Sequence, residues 1–311
     1  MGKQTEIAWT DSTFNPWVGC SKVSAGCANC YAETLMDKRM GRVQWGDNGT
    51  RSVTSPANWN QVRRWNAEAV RTGVRRKVFC GSLCDWLEDR HDTNAWRISL
   101  LELIELTRGL DWLMLTKRPE NAVRLIQQAA GRSIESFFER NPHVWIGTSV
   151  ENQEQADKRI PLLLTIPANV RFLSMEPLLG PIDVLSVSTN QDARLIVNYK
   201  TAINWVIVGG ESGHNARPMH PEWARSIRDQ CQAAGVPFFF KQWGEWHHDP
   251  SFSPTAPKRC YMDTSGTRHE HRGSPDQFRN GHLAFDRVGK HLAGHLLDGR
   301  EWSEVPVITH S

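Results

Sequence analysis

The stretch DWLMLTKRPENAVRLIQQAA, residues 111–130, sets the pattern for the chain. A short apolar run is followed at once by a segment whose apolar residues recur at helical spacing. A continuous apolar run of this length suits a strand buried on both faces of a parallel sheet. The same unit recurs on either side. KVFCGS (77–82) precedes a helical pattern over 94–107, and HVWIGTS (143–149) precedes QEQADKRIPLLL. NVRFLSME (169–176) leads into a long excursion. INWVIVGG (203–210) precedes PEWARSIRDQCQAAG, and VPFFFKQWG (236–244) closes the series. With one run near the N-terminus this makes about seven βα units. The expectation is an α/β fold, a partial or complete TIM-like (β/α) barrel, rather than a flat doubly wound sheet.

The flanks read differently. Residues 31–40 suit a helix ended by Gly41, 42–60 a polar surface loop, and 61–76 a basic helix with Trp65 among its arginines and Trp59 just before it. That helix suits either a solvated face or a phosphate-contacting one with indoles for base stacking. The 181–202 excursion breaks the rhythm. Beyond residue 246 the composition turns polar, and eight of the twelve His lie there. Two domains are therefore expected: a barrel over 1–246 and an extension over 247–311. The segment FDRVGKHLAGHLL is expected to end the extension as a helix. His247-His248-Asp249 and His269-Glu270-His271 resemble metal ligands by composition only.

Composition narrows the function. The 311 residues are 39% apolar and 23% charged, which describes a globular chain rather than a disordered one. No run approaches the roughly 20 apolar residues of a membrane helix. The opening MGKQTEIAWTDS has no apolar signal core, so a cytoplasmic location is expected. A net charge of +3 permits an anionic partner without requiring one. Seven Cys in such a chain point to a metal or redox site before a disulfide framework.

Three of them, Cys20, Cys27 and Cys30, form C-x6-C-x2-C on a loop that enters a helix. Three soft thiolates suit an iron–sulfur cluster with one iron left open. The plainer alternative is a structural zinc completed by Cys80 or Cys84. Polar residues stand where the strands would end: Ser82 and Asp85, Lys117 and Arg118, Ser149, Glu151 and Asn152, Glu176, Glu211 and Ser212, Lys241 and Gln242. A barrel keeps its chemistry at that end. Each also has a plainer use. Lys117 suits a surface helix start, Glu151 a first helical turn, and Gly209-Gly210 a tight turn.

The segments IAWTDSTFNPWVGCSKVSAGCANCYAE, VFCGSLCDW, LMLTKRP, WIGTSVEN, RFLSMEPLLGP, WVIVGGESG, FFFKQWG and VGKHLAGHLLDGREW run from residue 7 to residue 302. Together they resemble a phage- and bacterium-associated three-cysteine-motif family related to radical S-adenosylmethionine (SAM) enzymes. The likeness to spore photoproduct lyase is more distant. The superfamily's usual spacing is C-x3-C-x2-C, and its Gly-Gly-Glu after the second strand is replaced here by 80–85, CGSLCD. The resemblance implies a [4Fe–4S] cluster on Cys20, Cys27 and Cys30. It implies SAM held among Tyr31, Ser82, Asp85, Lys117, Ser149, Glu151, Glu176, Gly209, Gly210, Glu211 and Lys241. Cys84 would be a hydrogen-atom donor, a fourth ligand or a plain buried thiol. A nucleic-acid base or nucleotide would be the substrate, in DNA modification or repair, and a flavodoxin- or ferredoxin-type protein the reductant. The alternative is a non-enzymatic iron–sulfur or zinc protein that binds nucleic acid.

Overall fold

The expected apolar runs are strands. A computed structural model describes residues 5, 7–184, 186–188, 194–196, 202–248, 258–270 and 282–308. Its main strands are β1 (Ser12–Phe14), β2 (Arg76–Cys80), β3 (Leu110–Thr116), β4 (Val144–Ser149), β5 (Val170–Met175), β6 (Trp205–Gly209) and β7 (Phe238–Gln242). They form one seven-stranded sheet whose order follows the chain, with β1 and β7 at its ends. The pairs β1–β2, β2–β3, β3–β4 and β6–β7 are parallel. Every residue of β4 and of β6 is buried, as a strand covered on both faces requires. This is a mixed α/β fold, and its open strand order matches a partial (β/α) barrel.

Helices fill the connections: α1 (Pro56–Thr72), α2 (Asn94–Leu106), α3 (Ala122–Ala130), α4 (Ile134–Arg140), α5 (Gln153–Leu164) and α6 (Pro221–Ala234). Helix α1 shows how the sequence sets its limits. Ser55 caps it by accepting from the Asn58 amide, Pro56 opens it, and Gly73 ends it at φ +71°. It starts earlier than its arginines suggest, inside the expected 42–60 loop. Arg63, Arg64 and Arg71 are exposed on it. Trp65 is buried, and Trp59 packs edge-on against Phe14 with ring centroids 5.2 Å apart. Trp65 therefore belongs to the core and offers no base-stacking surface.

The chain divides into two compact units. One holds the described residues up to Ser149, Arg159–Phe172, Val307 and Ile308. Its core includes Trp9 on Phe79, with ring centroids 4.6 Å apart. The other holds Val150–Lys158 and the described residues of Leu173–Pro306. Its core includes Phe240 on Trp243, with centroids 4.8 Å apart.

The C-terminal region is a small antiparallel sheet of β8 (Trp246–His247), β9 (Arg259–Met262), β10 (Arg268–Glu270) and β11 (Leu283–Arg287), in the order β8-β11-β9-β10. The expected terminal helix is mostly absent. Phe285, Asp286 and Arg287 are strand, and only Lys290–Ala293 is helical. Gly289 and Gly294, at φ +88° and +76°, bound that single turn. Asp286 is buried and held from both sides by Arg259, at 2.6 Å to each oxygen, which ties the strand into its sheet. Much of the 181–202 excursion lies outside the described residues, apart from the antiparallel pair Ser186–Ser188 and Arg194–Ile196. Asp249 and His271, from the two His-rich groups, also lie outside them. No helix among the described residues is long and apolar enough to cross a membrane.

Candidate functional site

In the first unit the cysteine loop is tied to the ends of β2 and β3. It begins at Gly19, whose amide donates to the Leu83 carbonyl at 3.0 Å and whose backbone bridges to Cys84. Gly19 has φ +110°, and a Cβ there would lie 2.7 Å from the Thr50 carbonyl. Only glycine meets both conditions. Asn15, buried just past β1, donates to Ser82 Oγ at 2.8 Å and accepts from the Leu83 amide at 2.7 Å. Tyr31 reaches the same segment, its hydroxyl donating to the Ser82 carbonyl at 2.9 Å.

Asp85 organises the next strand end. One oxygen accepts from Thr116 Oγ1 at 2.7 Å and the Leu87 amide at 3.1 Å. The other accepts from the Lys117 amide at 3.0 Å and Arg118 Nη1 at 2.9 Å. Arg118 then reaches the loop. Its Nη2 donates to the Ser21 carbonyl at 2.9 Å and Ser21 Oγ at 2.8 Å, and its Nη1 lies 3.5 Å from Cys20 Sγ. Ser21 Oγ donates in turn to Glu88 at 2.7 Å. Glu88 takes a two-pronged contact from Arg51, 2.7 Å from each oxygen, with the two side chains 4% and 0% exposed.

The three loop cysteines differ. Burial pushes the Cys20 thiol up to about 12, Asp85 and Glu88 add to the rise, and Arg118 opposes it. Burial also raises Cys30, while the backbone amides of Glu33 and Ala32 and the charge of Lys117 pull it down. Cys27 is buried at the end of a 3-10 turn, its sulfur 3.9 Å from Ser24 Oγ. After Cys30 the chain makes one α-helical turn, Tyr31–Glu33, then widens into a π-helical segment, Thr34–Arg39. Such widening recurs at functional sites. Cys84 is buried near Asn15 Oδ1 at 3.9 Å, and desolvation drives its pKa well up, with Cys80 and Cys20 contributing. Ser149 is buried, and its carbonyl accepts from Arg159 at 2.8 Å.

The second unit holds the remaining predicted residues. Lys241 Nζ lies 2.7 and 2.9 Å from the Glu176 oxygens, at the ends of β7 and β5. Gly209 lets Glu176 pack beside it, since a Cβ would sit 3.1 Å from Cδ of that carboxylate. A Cβ on Gly210 would sit 1.9 Å from the Trp243 carbonyl, so that glycine serves a close backbone crossing. Glu211 is buried and engaged by Arg217 through its amide, Nε and Nη2 at 2.8, 2.8 and 2.6 Å. Glu151 is fully buried ahead of α5, and its carbonyl accepts from the Leu179 amide at 2.7 Å.

A sequence profile described as protein of unknown function (DUF5131) matches residues 4–306. The chain belongs to this DUF5131 family. No curated protein and no solved structure matches it.

The DUF5131 loop can be tested against the group its cysteines suggest. Among the described residues, no three His, Cys, Asp or Glu side chains gather into a group able to hold a metal ion. A single zinc needs all its thiolates about 2.3 Å from one centre. A four-iron cube gives each thiolate an iron of its own, which asks for three soft donors on one loop rather than three around a point. Cys20, Cys27 and Cys30 are such donors, and none is in a disulfide. The donor set fits the cluster on chemistry.

Sequence reasoning missed Asn15, Arg51 and Glu88. Asn15 follows a strand and stood inside a quoted motif, so the strand-end rule could have found it. Arg51 and Glu88 carry no signal, being opposite charges 37 positions apart.

Proposed function

We propose that this DUF5131 chain is a radical SAM enzyme that acts on a nucleic-acid base or nucleotide, in DNA modification or repair. Cys20, Cys27 and Cys30 would hold a [4Fe–4S] cluster, fed by a flavodoxin- or ferredoxin-type reductant. A cytoplasmic setting suits the free thiols. One observation carries the reading. Arg118, fixed by Asp85, reaches the Cys20 sulfur and Ser21, and so moors the cysteine loop at the C-terminal ends of parallel strands. That end of a (β/α) fold is where its enzymes keep their chemistry.

Held by Cys20, Cys27 and Cys30, the cluster would supply the reducing electron for cleavage of SAM. The chain's own residues prepare that site. Asp85 spends its oxygens on Thr116, Leu87, Lys117 and Arg118, so its part is to orient Arg118 rather than to touch SAM. Arg118 offers a charged donor to the Cys20 sulfur, a contact that tunes clusters. Tyr31, half-exposed and bonded to the Ser82 carbonyl, braces the start of the helix after Cys30. Cys84 is kept protonated by burial, and the thiol is the form that carries a hydrogen atom to donate.

Anaerobic reconstitution tests this. The wild-type chain should bind about four irons with matching sulfide, and release 5′-deoxyadenosine when reduced with SAM. Cys27→Ala should do neither. A colourless protein holding one zinc and cleaving no SAM would instead favour a non-enzymatic nucleic-acid-binding protein whose cysteines only stabilise the loop.

A further inference from the structure

The second unit carries a side-chain arrangement around Glu176 and Lys241, two residues that the resemblance gives to SAM and that the roles derived above leave unassigned. Strands β6 and β7 run in register through Val206–Phe238, Ile207–Phe239 and Val208–Phe240, and then Gly209 pairs with Gln242. Lys241 is the extra residue of a β-bulge, and the alternation of side chains breaks there. A regular strand sends residues 241 and 242 to opposite faces. Here both bring their head groups to one carboxylate. Lys241 Nζ donates to both Glu176 oxygens, and Gln242 Nε2 lies 3.3 Å from Oε1.

Gln242 Nε2 also donates to the Gly210 carbonyl at 2.9 Å and reaches Ser212 Oγ at 3.4 Å. These partners fix which way the amide faces, because a flipped amide would set its oxygen against a carbonyl and a carboxylate. Gln242 Oε1 is left buried with no hydrogen-bond partner, on a residue only 4% exposed. An orphaned acceptor of this kind has lost its water without a replacement partner, and a ligand bringing a donor restores one. Beside it stands Lys241, an ammonium with three donors of which two face Glu176. The ion pair keeps contact with solvent, its side chains 15% and 22% exposed.

We propose that Gln242 and Lys241 read the hydrogen-bonding edge of a nucleobase. A ring N–H meets Gln242 Oε1, and the adjacent ring carbonyl accepts from Lys241. A phosphate or carboxylate is excluded, because Glu176 already neutralises Lys241 and the Gln242 oxygen repels an anion. The choice of a base over other amide-bearing ligands rests on the function proposed above, whereas the donor–acceptor pair stands on the geometry alone.

Calorimetry on the full chain, without iron or reductant, tests the site with thymidine, N3-methylthymidine and a short oligothymidylate. Thymidine should bind, and N3-methylthymidine, whose donor is blocked, about tenfold more weakly. Gln242→Leu should bind both nucleosides equally weakly. Should that variant unfold, the methylated ligand still decides on wild type. Tighter binding of the oligonucleotide than of thymidine assigns the site to a base within a strand, and equal binding to a free nucleotide. Equal affinity for the two nucleosides, or no binding of thymidine and oligonucleotide, overturns the proposal. So does displacement of thymidine by methionine, which would give the site to an amino-acid group. A zinc-loaded protein that still discriminates the nucleosides would sink the radical chemistry and leave this site standing.

Discussion

Arg118 Nη1 lies 3.5 Å from the Cys20 sulfur, and the same nitrogen lies 2.9 Å from Asp85. Burial opposes the guanidinium cation, but Asp85, Cys20 and Glu88 outweigh it and push its pKa up. The cation therefore stays charged and joins the cysteine loop to two strand ends. Replacing it with Met strands Asp85 as a buried charge. Breaking a buried pair in this way costs about 3–5 kcal/mol, which urea unfolding of Arg118→Met should show. Arg118→Lys keeps the charge but loses the planar fork to Ser21. It should keep most of the stability, while proteolysis within 20–30 quickens and iron content after reconstitution falls. Iron content equal to wild type in Arg118→Lys would remove Arg118 from the proposed cluster site.

Glu88 is the second anchor of this network. It receives both prongs of Arg51, and the Arg51 side chain has no exposure. Glu88→Gln keeps the shape but leaves that guanidinium without its counter-charge. The expected loss is again about 3–5 kcal/mol. The surface pair Arg124–Asp89 supplies the control, because both of its side chains are more than half exposed. Asp89→Asn should change stability by less than about 1 kcal/mol.

Buried thiols give the metal-free protein an alkaline limit. Burial raises Cys20 and Cys231 to about 12, from an ordinary value of 9.0. Between those values the folded chain keeps at least these two protons, which the unfolded chain has released. The unfolded state then binds fewer protons, so stability falls as pH rises. The contribution is intact below pH 9 and is lost progressively toward pH 12. Each thiol adds a slope of about 1.4 kcal/mol per pH unit. Urea unfolding at pH 8, 9.5 and 10.5 should show the fall, and Cys231→Ala should make it shallower. An unchanged slope in that variant would remove Cys231 as a source.

The strands were readable because their signal is local. Runs such as WLML and WVIV are apolar on both faces, and all six runs quoted from the sequence overlap strands of the sheet. The polar C-terminal sheet was not, because β8 to β11 are two to five residues long and partly polar. Their pairing comes from contacts such as Arg259–Asp286, distant in sequence. At the candidate site, strand-end position located Asp85, Glu176 and Lys241, but partner choice did not follow from it. Asp85 turns inward to hold Arg118, and Glu211 is taken by Arg217. The bulge at Lys241 depends on register against β6, which no single strand encodes.

The two glycines before Glu211 separate a backbone role from a cofactor role. At Gly210 a Cβ would lie 1.9 Å from the Trp243 carbonyl. That oxygen belongs to the main chain and cannot swing aside as a side chain would. Gly210→Ala should therefore cost at least the roughly 1–3 kcal/mol of ordinary overpacking, read as a lowered urea midpoint. Gly180→Ala is the matched control, since its Cβ would meet only Asn152 Cβ at an ordinary 3.6 Å. It should be near neutral. A Gly210→Ala protein that keeps wild-type stability and loses only SAM binding would return this glycine to the cofactor, and would show that the strand end yields where the Trp243 crossing says it is closed.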